Sequence, residues 1–169
     1  MTKLIKLIRF ISIYGISRTW FKALGRSRAS IFTFKYFHNK PKQSHIGFIG
    51  CGQYAFATIG YFLQKSLGKS FGSCFDINPS AQKTFGTAYK VLKMPSSVEG
   101  LIKDPGIDLV YIASNHASHT NYAIQCLQAG KRVYVEKPIA VTHEQLQRLV
   151  KAIVVSGQDR IFFGYNRPF

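Results

Sequence analysis

Acidic residues are scarce in this chain. Seven Asp and Glu stand against 23 Lys and Arg in 169 residues, a net charge of +16. None of the seven falls in residues 1–44, which hold ten of the basic residues: Lys3, Lys6, Arg9, Arg18, Lys22, Arg26, Arg28, Lys35, Lys40 and Lys42. Residues 45–169 carry the other thirteen and all seven acids, so their charge is only +6. Cysteine is scarce too. Cys51, Cys74 and Cys126 are odd in number and lack the close pairs of a zinc site, which argues against a disulfide framework or a bound metal and fits a reducing, cytoplasmic setting. Long apolar runs are missing as well: Phe10–Ile16 is broken by Ser12 and Gly15 and followed by Arg18, too short to span a bilayer. The charged opening has no small-x-small cleavage site before the next arginines, which disfavours a secretory signal. With 46% hydrophobic and 18% charged residues, the composition excludes disorder, collagen and coiled coil and predicts a packed core.

The basic excess belongs to an arm, residues 1–44, in front of a milder domain, residues 45–169. Leu4, Leu7, Ile8, Ile11 and Tyr14 recur at helical spacing with Lys6 and Arg9 off that stripe, which predicts an amphipathic basic helix over Lys3–Tyr14. Two roles compete for it: peripheral contact with an anionic membrane surface through residues 1–16, or docking on another part of the protein or on a partner chain. Ile5, Phe10 and Ile13 widen the apolar face and favour docking. Aromatic residues interleave with positive charge from Ser17 to Ser44, but no nucleic-acid reading motif is present, so nucleic acid is disfavoured as a partner. Pro41 reads as the end of the arm.

After Ser44 the pattern turns regular. Apolar runs at His45–Ile49, Phe71–Phe75, Leu109–Ala113, Arg132–Val135 and Ile161–Gly164 read as strands, with a weaker one at Tyr89–Leu92. Helices are predicted from Gln53 to about Leu67, from an Asn78 cap with Pro79 through Phe85, from Ser96-Ser97-Val98-Glu99 to Ile102, from about Ser118 to Ala129, and from Thr142-His143-Glu144-Gln145 to near Gly157. Strands alternating with helices in this way predict an α/β fold, a Rossmann-type doubly wound parallel sheet preceded by the partly helical arm. In such a sheet, ligands bind outside the carboxyl ends of the strands.

Gly50-Cys51-Gly52-Gln53-Tyr54-Ala55 ends the first of these strands and opens a helix. In that context GxGxxA is a dinucleotide motif. Gly50 permits the tight turn, Gly52 lets the backbone approach a pyrophosphate, and Ala55 lets helix and strand pack closely. The alternative is an ordinary glycine turn. Asp76 at the end of the second strand would accept hydrogen bonds from the adenosine ribose and repel a 2′-phosphate. Ile77, Asn78 and Pro79 follow it, with no arginine, so NAD is preferred over NADP. The alternative role for Asp76 is to cap the helix behind it.

Ile112-Ala113-Ser114-Asn115-His116-Ala117-Ser118-His119, Ala129-Gly130-Lys131-Arg132-Val133-Tyr134-Val135-Glu136-Lys137-Pro138 and Gly164-Tyr165-Asn166-Arg167 resemble successive signatures of the Gfo/Idh/MocA family, the glucose-fructose oxidoreductase and inositol dehydrogenase relatives. The resemblance covers residues 45–169. It implies an oxidoreductase that moves hydride between a nicotinamide cofactor and a sugar or cyclitol-type hydroxyl. By the same resemblance, Lys137 sits beside nicotinamide and substrate and takes part in the chemistry, next to Glu136, and Pro138 matches the family's cis-proline. Ser114, Asn115 and His119 match a loop that contacts the cofactor, His119 having a packed or capping histidine as its alternative, while His116 is given no role. Tyr165 and Arg167 match the strand that leads into the family's second domain, which implies that Arg167 faces cofactor or substrate.

That second domain, an α+β unit with an Asp and His pair, has no counterpart in the sequence, and His143 belongs to a capping box. The expectation is a truncated chain, inactive alone. Its alternative is a non-catalytic nucleotide-binding or partner subunit, with a separate chain supplying what is missing.

Overall fold

Strands and helices alternate from residue 46 onward in the computed structural model, which describes residues 3–27, 44–68 and 71–164. Strands β1 (Ile46–Ile49), β2 (Ser73–Phe75), β3 (Leu109–Ile112), β4 (Arg132–Val135) and β5 (Ile161–Phe163) form one sheet in the order β2-β1-β3-β4-β5. Every pairing is parallel, and Ile49 lies in register with Phe75 on one side and Ile112 on the other, which pairs in turn with Val135. The chain winds outward from β1 to β2 and then restarts on the opposite side at β3. This is the doubly wound sheet that the alternation predicts, with its switch point between β1 and β3.

Two apolar clusters cover the sheet. On one face, Phe48, Phe71, Phe85, Phe56 and Tyr89 form an aromatic core with ring centroids 4.7–6.3 Å apart. On the other, Ile49, Val110, Ile112, Val133 and Val135 pack with Leu101, Ala123 and Leu149 from helices α5 (Val98–Ile102), α6 (His119–Gln128) and α7 (His143–Ser156). Phe48 and Ile49 thus face opposite clusters, which is why this strand reads as continuously apolar. Two caps fall where the sequence places them, Asn78 accepting from the amides of Ser80 and Ala81 to start α4 (Pro79–Tyr89) and Thr142 from Gln145, whereas α5 is capped one residue later than the box starting at Ser96, by Ser97 accepting from Gly100.

Three features differ from the sequence reading. The helix after β1 opens as a π-helix, Ala55–Gly60, before α3 (Tyr61–Leu67). The Tyr89 hydroxyl donates to the Phe56 carbonyl inside that turn, and its ring occupies the space a Gly60 side chain would fill, a Cβ there lying 2.7 Å from the ring. A carbonyl engaged from outside is a known origin of such irregular turns. Second, the strand expected at Tyr89–Leu92 is not formed. Burial of Tyr89 draws α4 on to that residue, Lys90 caps it in the left-handed region at φ 51°, and beyond a hydrogen bond from the Leu92 amide to the Phe71 carbonyl the chain joins the sheet edge in a single bridge, Lys93 to Ser73.

Third, residue 44 does not separate arm from core. Besides the expected helix α1 (Lys3–Tyr14), a second helix, α2 (Ile16–Ser27), packs against the π-helix. Phe21 is 1% exposed and lies against Phe56, Tyr61 and Tyr89. The Ser17 and Tyr61 hydroxyls are 2.8 Å apart, Arg18 donates to Thr58, and the Arg18 guanidinium covers the Tyr61 and Phe62 rings. A Cβ on Gly25 would lie 3.1 Å from Ala57, so small residues set this close approach. The docking expected of α1 is therefore performed by α2.

Phe21→Ala is expected to lower unfolding free energy by about 3–5 kcal/mol, whereas Leu4→Ala, at an exposed site, changes it by about 0.5 kcal/mol or less. Urea denaturation checks this, and equal effects would remove α2 from the core. A pH dependence follows from the amino edge of the sheet. Hydrogen bonding from Lys93 at 2.8 Å, helped by the Gly106 amide, holds the buried Asp104 carboxyl below its ordinary value against the opposing effect of burial. That stabilisation is complete above the unfolded-state value of about 4 and is lost as pH falls through the lower folded value. Asp104→Asn should cost about 1–2 kcal/mol near neutral pH, with the gap to the parent closing in acid.

Candidate functional site

At the switch point the carboxyl ends of β1 and β3 run into two loops, and a cleft of about 280 Å³ opens between them. Gly50 ends β1 at φ +94°, and a Cβ there would lie 2.5 Å from the Ala113 carbonyl carbon and the Ser114 amide. Both the backbone angle and the space demand glycine. Around a Cβ on Gly52, by contrast, there is nothing within 4 Å. Gly52 lines the cleft with bare backbone, leaving room for a group that presses against the main chain. The helix that follows brings its N-terminal amides to the same place, a setting that attracts negative charge.

Asp76 follows β2 on the rim. Its carboxylate accepts from the Cys51 amide at 2.6 Å and from the Asn78 amide at 2.8 Å. Asn78, not Asp76, caps α4, so Asp76 is free of the capping role and fastens the glycine turn to the end of β2. On the opposite wall, Asn115 accepts from the Ser118 amide at 3.1 Å, and the Ser114 and Ser118 hydroxyls lie 2.8 Å apart.

Gly50, Gly52, Asp76, Ser114 and Asn115 all line this cleft. Ile77, Ser118 and Tyr122 line it too and were not among the residues singled out in the sequence. Their signals were positional: Ile77 follows the acid, and Ser118 and Tyr122 succeed Ser114 at steps of four along the entry to α6. Gln53 and Tyr54 are exposed on the first turn behind the glycines, and Ala55 is buried in the aromatic core as close packing requires.

His119 does not line the cleft. It is buried, its two ring nitrogens 3.0 Å from the Ser114 carbonyl and 2.9 Å from the Pro138 carbonyl, and so ties the loops after β3 and β4 together. The Lys137-Pro138 peptide is cis, as the resemblance implies. Glu136 is buried, with the Tyr134 hydroxyl donating to it at 3.3 Å. Burial first, and then the Glu136 carboxylate, pushes the Tyr134 phenol well above its ordinary value and keeps it a donor. A Cβ on Gly164 would lie 2.8 Å from the Glu136 carboxylate, so glycine there makes room for the pair. Lys137 is exposed beside it, and none of the ion pairs among the described residues involves it. Tyr165 and Arg167 lie outside the described residues. The described residues hold no cluster that could bind a metal ion.

The bare glycine backbone, the acid at the end of β2 and the polar loop after β3 fit an extended, diphosphate-containing ligand, and the comparisons agree. Residues 44–164 match the model of the oxidoreductase family Gfo/Idh/MocA, NAD-binding Rossmann fold. Inositol 2-dehydrogenase 2 of Saccharopolyspora erythraea is 30% identical over 125 residues, which are 74% of this chain and 37% of that protein. The structure of the WlbA dehydrogenase from Bordetella pertussis in complex with NADH and UDP-GlcNAcA is similar with a TM-score of 0.62 and 26% identity, over 75% of this chain and 36% of the other. Biliverdin reductase from Synechocystis, solved with biliverdin and NADP+, has the same TM-score and identity over 72% and 37%. The chain thus spans little more than a third of the length of these proteins. Its sheet, its glycine turn and its matched segment agree: the chain belongs to the Gfo/Idh/MocA oxidoreductase family, of which it presents the NAD(P)-binding Rossmann domain.

Proposed function

We propose that the chain binds NAD in preference to NADP and forms the dinucleotide half of an oxidoreductase acting on a hydroxyl of a sugar or cyclitol. The observation that carries the reading is the cleft itself, with open space over Gly52 and the Asp76 carboxylate on its rim. The bound cofactor would supply hydride chemistry. The residues of this chain do the rest. Gly50 and Gly52 present backbone amides to the diphosphate, and Asp76 accepts from ribose hydroxyls while its charge opposes a 2′-phosphate. Ser114 and Asn115 contact the cofactor from the far wall. Lys137, exposed after the cis-proline junction, holds or moves the proton of the substrate hydroxyl. The inositol dehydrogenase relative supports a polyol substrate, and three buried cysteines that form no disulfide support a cytoplasmic setting.

Substrate selection in this reading falls to the portion of the relatives outside the matched segment, supplied as a further domain or by a partner chain. Hydride transfer needs both halves held against one another, and lost orientation costs many orders of magnitude in rate.

Calorimetric titration of the 169-residue chain should show NAD binding, weaker NADP binding and no turnover of inositol. Asp76→Asn, which keeps an acceptor for the Cys51 amide and loses the charge, should narrow the NAD preference. Asp76→Ala should weaken NAD about tenfold, in line with one or two lost hydrogen bonds, and Gly52→Trp should abolish binding. If Gly52→Trp and Asp76→Ala both bind like the parent, the cleft is not the cofactor site. Turnover by the chain alone would remove the need for a second half.

A further inference from the structure

The two helices of the N-terminal segment divide its residues unequally. Helix α2 commits Phe21 and Arg18 to the core, whereas α1 leaves its apolar side in solvent. Leu4, Leu7 and Ile8, which share one side of the helix, are 64%, 46% and 58% exposed, and Ile16 and Trp20 are exposed on α2. The contact between the helices involves the half-buried Phe10, whose ring lies under the Lys22 ammonium at 4.2 Å. Large apolar side chains left exposed together on one side of a helix mark an interaction site.

Charge decides what the site takes. Lys3, Lys6, Arg9, Lys22 and Arg26 accompany those apolar residues, and no acidic residue precedes Asp76 anywhere in the chain. A second copy would bring like charge against like, ten basic residues to ten within the first 44, which opposes pairing of arm with arm. A surface that is negative outside and apolar a few ångströms deeper meets both requirements at once. No helix among the described residues is long and apolar enough to cross a membrane, so the contact is peripheral.

We propose that α1 lies in the interface of an anionic lipid bilayer, Leu4, Leu7 and Ile8 entering the acyl boundary and Lys6 and Arg9 meeting the headgroups. Helix α2 then holds the nucleotide-binding domain at the membrane surface, because Phe21 and Arg18 join it to the π-helix behind the glycine turn. This inference is independent of the cofactor reading: α1 lines no part of the cleft.

Sedimentation of the full chain with vesicles provides the test. Vesicles of phosphatidylcholine mixed with phosphatidylserine should take up the protein, and phosphatidylcholine alone should not. Each substitution of Lys6 or Arg9 by Gln should lower partitioning about fivefold. Leu4→Gln and Ile8→Gln should each lower it on the order of tenfold. Both sites are exposed, so unfolding midpoints and NAD titration of these variants should match the parent. Failure to bind the mixed vesicles overturns the proposal, as does equal binding to both vesicle types. A dimer in solution that Leu4→Gln and Ile8→Gln dissolve would also overturn it, assigning the face to a second copy.

Discussion

The contact between the backbone of Gly50 and that of Ala113 and Ser114 constrains everything at the carboxyl edge of the sheet. With 2.5 Å between the position of a Cβ and its neighbours, no other residue fits without forcing β1 and β3 apart. The contact exists because Ile49 pairs with Ile112 and the Ala113 amide reaches the Ile49 carbonyl, so register delivers both loops to the same point. Register delivers Asp76 as well. Ile49 opposite Phe75 places the acid beside the turn, where it takes the Cys51 amide. A slip of one residue in either pairing would turn the strand over and scatter the site.

From behind, the glycine turn rests on aromatic packing. Tyr89 holds the Phe56 carbonyl, Gly60 yields the space for its ring, and Phe21 stacks on Phe56 at 5.2 Å. The helix whose N-terminus faces the cleft is therefore fixed along its length by α4 on one side and α2 on the other. Burial raises the Tyr89 phenol well above its ordinary value, so the hydroxyl keeps its proton and its hydrogen bond. A π-turn here places the helix start by side-chain chemistry from a distant element.

The strands were legible because parallel strands buried on both faces read as unbroken apolar runs, and the glycines because few other sequences satisfy that turn. Helix α2 was not legible. Its buried contribution is centred on Phe21 amid Arg18, Lys22 and Arg26, and Arg18 conceals its charge by lying over Tyr61 and Phe62, a pairing that hydropathy counts as polar. The strand expected at Tyr89–Leu92 failed for the converse reason. Its aromatic residue, Tyr89, serves a helix, and the residue that bridges to the sheet, Lys93, is polar. Within the site, the motif residues were legible and the wall formed by Ile77, Ser118 and Tyr122 was not, since only the fold brings α6 to face the end of β2.

The scarcity of acids becomes intelligible once each is placed. Asp104 and Asp108 pair with Lys93 and Arg132 at the amino edge of the sheet. Glu99, Glu144 and Asp159 occupy the first turns of α5, α7 and the 3-10 turn Gln158–Arg160, where helix dipoles favour negative charge. Asp76 and Glu136 stand at the carboxyl edge, tied to the Cys51 amide and the Tyr134 hydroxyl. No acid is left over to neutralise the N-terminal helices, and none lies within residues 1–44. The positive charge of α1 meets no acidic residue within its own segment. The acids that do exist are committed to holding the sheet, starting helices and framing the cleft. The charge imbalance is thus the sum of two separate designs, a nearly balanced nucleotide-binding domain and a cationic apolar helix carried outside its core.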